Sequence, residues 1–107
     1  MSIEQMGMIK DKTVAVTLGD VNATLSSVVD TALGGSQDFT KVTGCLITCE
    51  SFDCRIAYGV AASTTLGHII PSGGSFRMAS KDHWNKANVI NKTAGSNAVL
   101  QVTVETL

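Results

Sequence analysis

The sequence predicts an all-β fold, a single antiparallel β-sandwich or jelly-roll-like barrel with one short helix and an extended N-terminal arm. Three observations point there. Apolar and polar residues alternate in several short runs, most clearly from Ala98 to Glu105. Turn-forming residues recur about every ten positions, the rhythm of consecutive strands in sandwiches and barrels. With 107 residues and no internal repeat or low-complexity segment, the chain suits one domain with one modest core.

Residues 1–12 mix Met, charge and Gly without a period and read as an arm that docks on something; the domain proper spans 13–107. Val14, Val16 and Leu18 then alternate with Thr13, Ala15 and Thr17, a half-buried strand ended by Gly19-Asp20. Asn22 to Leu33 places Leu25, Val28, Val29, Ala32 and Leu33 at helical spacing, with Gly34-Gly35 as a stop and Asp20 or Asn22 as the start cap. Its apolar stripe should cover an open end or edge of a sheet.

Val42 to Cys49 carries Val42 and Leu46 on one face and Cys45, Ile47 and Cys49 on the other, the pattern of a central strand covered on both sides. Glu50-Ser51-Phe52-Asp53 resembles a turn, and Cys54, Ile56 and Tyr58 face one way beyond it, so residues 42–58 predict a hairpin. Ser75 to Ala79 is a strand alternating Phe76 and Met78 against Arg77, and residues 81–85 break the pattern with one helical turn. Val89-Ile90 is a short strand and residues 93–97 a turn. In the last strand Ala98, Leu100, Val102 and Val104 point inward.

Composition excludes several functions. Net charge is −1, which leaves no basic footprint for nucleic acid and no polybasic membrane anchor. No apolar run approaches a membrane span, and the opening octet lacks the basic and apolar regions of a secretory signal. The expected location is therefore the cytoplasm or a particle assembled there. Three cysteines, an odd number, fit a reducing compartment. Only 16% of residues are charged, against about 25% in typical domains, which suggests apolar surface covered by partners.

No cofactor or metal and no catalytic group is expected. Cys45 and Cys49 would sit about 13 Å apart along one strand, too far to share an ion. His68 and His83 lie in loop-like surroundings without an elbow motif to place a nucleophile beside them. Gly34-Gly35-Ser36 and Gly73-Gly74-Ser75 lack the Lys-Ser/Thr of a phosphate loop and read as turns. Sequons at Asn22 and Asn91 have no secretory context. Trp84, the single tryptophan, stands in a polar stretch, either as a lid over the core or as an interface anchor.

One segment reads as a surface-building module. Arg55-Ile56-Ala57-Tyr58-Gly59 opens it, a loop of small residues follows, and Gly67-His68-Ile69-Ile70-Pro71-Ser72-Gly73-Gly74-Ser75-Phe76 closes it. Together with the stretch from Ala87 to Thr103, it resembles small β-sandwich structural proteins of tailed bacteriophages, over roughly residues 40–105. The resemblance implies a virion component: a capsid decoration (cement) protein bound to the major capsid protein, or a neck, tail or fibre-attachment accessory. It implies self-association, with a trimer favoured, and carries over no catalytic residue. The expected contact surface is the arm and the 59–75 loops, with Met6, Met8, Ile9, Val60, Thr64, Leu66, His68 and Trp84 as contacts. A carbohydrate- or host-binding module is the alternative from another class. It needs exposed aromatic platforms, and several of Phe39, Phe52, Tyr58, Phe76 and Trp84 are wanted for the core.

Overall fold

The computed structural model describes residues 12–107, so the predicted contacts Met6, Met8 and Ile9 lie outside the described residues. Lys12, the last residue of the predicted arm, already accepts a hydrogen bond from the Val104 N–H at 3.0 Å. Strand β1 (Thr13–Thr17) leads to a two-residue β2 (Ala23–Thr24) and helix α1 (Leu25–Ala32). Then come β3 (Val42–Ser51), β4 (Cys54–Tyr58), β5 (His68–Ile70) and β6 (Ser75–Met78). Helix α2 (Lys81–Lys86), β7 (Ala87–Asn91) and β8 (Val99–Thr106) complete the chain.

These strands form two antiparallel four-stranded sheets, ordered β1-β8-β3-β6 and β2-β7-β4-β5, packed as a sandwich. The pairs β1·β8, β2·β7, β3·β6 and β4·β5 show one long antiparallel ribbon folded over on itself. That is the jelly-roll order, in which rolling the ribbon also brings β8 against β3 and β7 against β4. The predicted 42–58 hairpin is therefore wrong. Residues 52–53 carry the chain from one sheet to the other, and the single sequential hairpin among the described strands is β4–β5. Periodicity reports which face of a strand is buried and is silent on which sheet the strand joins.

The inward faces follow the alternation closely. Val16, Cys45, Ile47, Cys49, Cys54, Ile56, Leu100, Val102 and Val104 are buried in one core cluster. β3 is central, as predicted, but its outer face is open: Leu46 is 38% exposed. Val42 joins the core instead, because a register shift between Val42 and Gly44 turns both Val42 and Cys45 inward. Helix α1 buries Leu25 and Val29, packs Val28 and Leu33 against the core, and stops at Gly34, which takes φ 98°. Its start differs from expectation. Thr24 holds the cap position without a side-chain bond, while Asp20 and Asn22 are engaged elsewhere. The polar stretch after β6 is a second helix, α2, whose first turn is capped by Ser80 Oγ accepting from the His83 N–H at 3.0 Å.

The connections β1–β2, β3–β4, β5–β6 and β7–β8 each cross between the sheets, and hydrogen bonds tie them to one another. Asn91, the single buried polar residue among those described, is central to this network. Its Nδ2 donates to Asp20 Oδ1 and Asn97 Oδ1, and its Oδ1 accepts from the buried Ala98 N–H, each at 2.9 Å. Asp20 also accepts from the Gly95 N–H. Replacing Asn91 by Ala strands the Ala98 donor and is expected to cost about 2–3 kcal/mol in urea melts. The Asn91 amide, and then the Gly95 N–H, hold the Asp20 carboxyl below its ordinary value. A depressed folded-state value means that the Asp20 contribution is complete above the ordinary carboxylate range and fades as pH falls through the lowered value. The parent should therefore lose more stability on acidification than Asn91→Ala does.

Candidate functional site

The sequence-predicted contacts Val60, Thr64, Leu66 and His68 fall on the β4–β5 connection and the start of β5 and are exposed. The connection is held down at several points. Ala62 is buried with Ala57 and Ile90 in a small cluster of its own, and its N–H donates to Asn22 Oδ1 at 2.8 Å. Arg55 Nη1 donates to the Gly67 carbonyl at 2.7 Å, and the Gly59 N–H donates to the Lys86 carbonyl. Ser63 Oγ accepts from the N–H groups of Thr65 and Leu66, a tight turn that pushes Thr64 and Leu66 outward.

The result is a fixed strip of chain with apolar side chains exposed along it. Val60 is 54%, Leu66 50% and Ile69 46% exposed, so three of the seven large exposed apolar residues among those described fall within ten positions. Val60, Leu66 and His68 share a shallow cavity of about 350 Å³ with Tyr58; Thr64 lies outside its lining. Ile69 was missed in the sequence because a three-residue apolar run carries no visible alternation. Trp84 does not join the strip. It is fully buried, edge-on to Phe39 at 5.3 Å, and is no interface anchor.

Of the groups weighed for chemistry, the Cys49 and Cys54 thiols adjoin each other. All three cysteines are buried and free. Burial first, and then the Glu105 charge, pushes the Cys45 thiol up to about 12; burial and the neighbouring Cys49 do the same to Cys54. Such thiols stay protonated at neutral pH and are poor nucleophiles. The His83 ring lies against Tyr58 at 4.9 Å, and neither imidazole hydrogen-bonds a described serine or cysteine. Among the described residues, no three His, Cys, Asp or Glu side chains are grouped to hold a metal ion.

A larger cavity, about 530 Å³, opens among the cross-sheet connections and is lined by Ser51, Phe52, Asp53, Ser72, Thr93 and Ser96. Asp53 Oδ1 accepts from the Ser72 N–H at 2.8 Å, the Lys92 N–H donates to the Asp53 carbonyl, and Ser72 Oγ donates to the Glu50 carbonyl. Val60, Thr64, Leu66, His68 and Trp84 are absent from its lining, whereas Ser72, within the expected 59–75 surface, belongs to it. No family model, curated protein or solved structure matches the chain.

Proposed function

We infer that the chain is a non-catalytic structural subunit of a tailed-phage virion, a capsid decoration protein that binds across junctions of the major capsid protein. The observation that carries this reading is the apolar strip of Val60, Leu66 and Ile69, held rigid on a domain whose other apolar side chains are mostly buried. Covering three half-exposed aliphatic side chains is worth roughly 1 kcal/mol each. The strip also falls inside the segment that resembles phage structural proteins. Jelly rolls are common among viral capsid domains, an analogy of fold that favours the same class.

The mechanism is clamping. Each copy touches two or more capsid subunits, so separating the subunits also breaks its contacts, and binding stabilises the assembled state by mass action. Self-association into a trimer would cover further apolar surface on this weakly charged domain. The chain would be made in the host cytoplasm and reside in the particle.

Quantitative mass spectrometry of purified particles tests this directly. Decoration requires hundreds of copies per particle and a loss of heat and low-salt resistance when the gene is deleted. A few copies would move the chain to the neck or tail, and its absence from particles would end the virion reading. Leu66→Asp is expected to release the chain from particles while its melting temperature stays unchanged, because Leu66 is half exposed.

A further inference from the structure

The geometry points to a second binding site, for a neutral sugar unit, in the cavity among the cross-sheet connections. Phe52 would be its stacking platform, and Asp53, Lys92 and the surrounding hydroxyls its hydrogen-bonding partners. The site is separate from the apolar strip and independent of the capsid-binding reading.

Phe52 is the first reason. It takes φ 59°, the left-handed region that a bulky residue enters only at a steric cost. It is also 56% exposed, and unlike Phe39 and Phe76 it does not pack against the core. Glycine would hold this link with no strain, so neither backbone nor core explains an aromatic ring here. The link itself is fixed, since Cys49 Sγ donates to the Phe52 carbonyl at 2.8 Å. An exposed ring on a fixed backbone beside a cavity offers its face to the C–H groups of a pyranose, an apolar contact with a polar rim.

The polar groups are the second reason. Asp53 Oδ2 and Lys92 Nζ are 3.7 Å apart, too far for a direct hydrogen bond, and both side chains are more than one third exposed. A vicinal diol can sit between them, one hydroxyl donating to the carboxylate and the other accepting from the ammonium. Ser51, Thr93 and Ser96 line the same cavity, and their hydroxyls make no hydrogen bond to other described residues. A hydroxyl-rich lining, with Lys92 balancing the Asp53 charge from beside it, suits a neutral polyol, whereas the carboxylate would repel a phosphate. The volume, about 530 Å³, accommodates a monosaccharide at the end of a longer glycan.

The third reason is preorganisation. Loops on a rigid scaffold are where binding groups collect, and here three of them are tied together before any ligand arrives.

The test uses the isolated ¹⁵N-labelled chain, titrated with the methyl glycosides of glucose, galactose, mannose, fucose and N-acetylglucosamine. At least one should shift the amides of Phe52, Asp53, Ser72 and Ser96 and saturate in the millimolar range. Phe52→Tyr should keep that binding, and Phe52→Gly should weaken it about tenfold or more. Because glycine tolerates the left-handed backbone, Phe52→Gly should melt at or above the parent temperature. The proposal is overturned if none of the five shifts these amides at about 100 mM, if Phe52→Gly binds as well as the parent, or if Phe52→Gly melts lower, which would make the ring structural. Because no particle is involved, this result is independent of the copy-number measurement.

Discussion

Replacing Trp84 by Ala is expected to remove about 3–5 kcal/mol of folding stability, a large share of what a domain of this size possesses. The indole is the largest fully buried side chain, it is carried by α2 onto the core, and Phe39 meets it edge-on with ring planes 68° apart. Truncation loses the transfer energy, leaves a void that the surrounding strands cannot fill, and forfeits the aromatic pair. The indole Nε1 is buried with no hydrogen-bond partner among the described residues. Trp84→Phe therefore removes a polar atom that cost energy to bury and loses no hydrogen bond, so its penalty should stay below about 2 kcal/mol. Urea unfolding of both variants decides the matter. A loss under about 1 kcal/mol for Trp84→Ala would show that the ring is not a core element and would return it to the candidate contacts.

How far the sequence could be read depended on what each residue answers to. Ala98, Leu100, Val102 and Val104 answer to one local rule, alternation against a single core, and all four are fully buried. Cys45, Ile47 and Cys49 answer to the same rule. The link at residues 50–53 does not. Its polar and acidic residues suit a tight turn as well as a crossing between sheets, and only the distant partners β6 and β8 decide which forms. Strand β2, two residues long, has no period to read. Asp20 and Asn22 look like helix caps from sequence, yet Asn91, Gly95, Asn88 and Ala62 claim their side chains from positions 40 to 75 residues away.

The candidate sites divide in the same way. Val60, Leu66 and His68 were legible because they interrupt a loop of small residues with larger ones, and loops lie on the surface. Phe52 lies in the turn-like link and is one of five aromatics of which several are wanted for the core, and composition does not say which. Its exposure follows from the crossing itself. The chain leaves β3 after the inward Cys49 and enters β4 at the inward Cys54, so the residues between pass over the end of the sandwich. A reading that had placed the crossing would have exposed Phe52 as well.

Gly44→Ala should be among the most damaging single substitutions in the chain, with a loss of about 3 kcal/mol or more, or no folded protein. A Cβ at position 44 would overlap the Met78 carbonyl and lie 3.3 Å from the Ala79 Cα. Those are backbone atoms of β6 and its exit towards α2, so no flexible side chain can move aside. Nor can β3 retreat. On its other side it is paired to β8 over most of its length, and the register shift next to Gly44 is what turns Val42 and Cys45 together into the core. Pushing β6 away would also shift α2 and the Trp84 ring that it carries, so the cost spreads beyond the clash. Gly19→Ala is the matched control. It has the same change in backbone freedom with no heavy atom within 4 Å of the new methyl, so it should stay within about 1 kcal/mol of the parent. If thermal melting placed the two variants together, β3 and β6 would not approach each other at Gly44, and the edge of the first sheet would have to be redrawn.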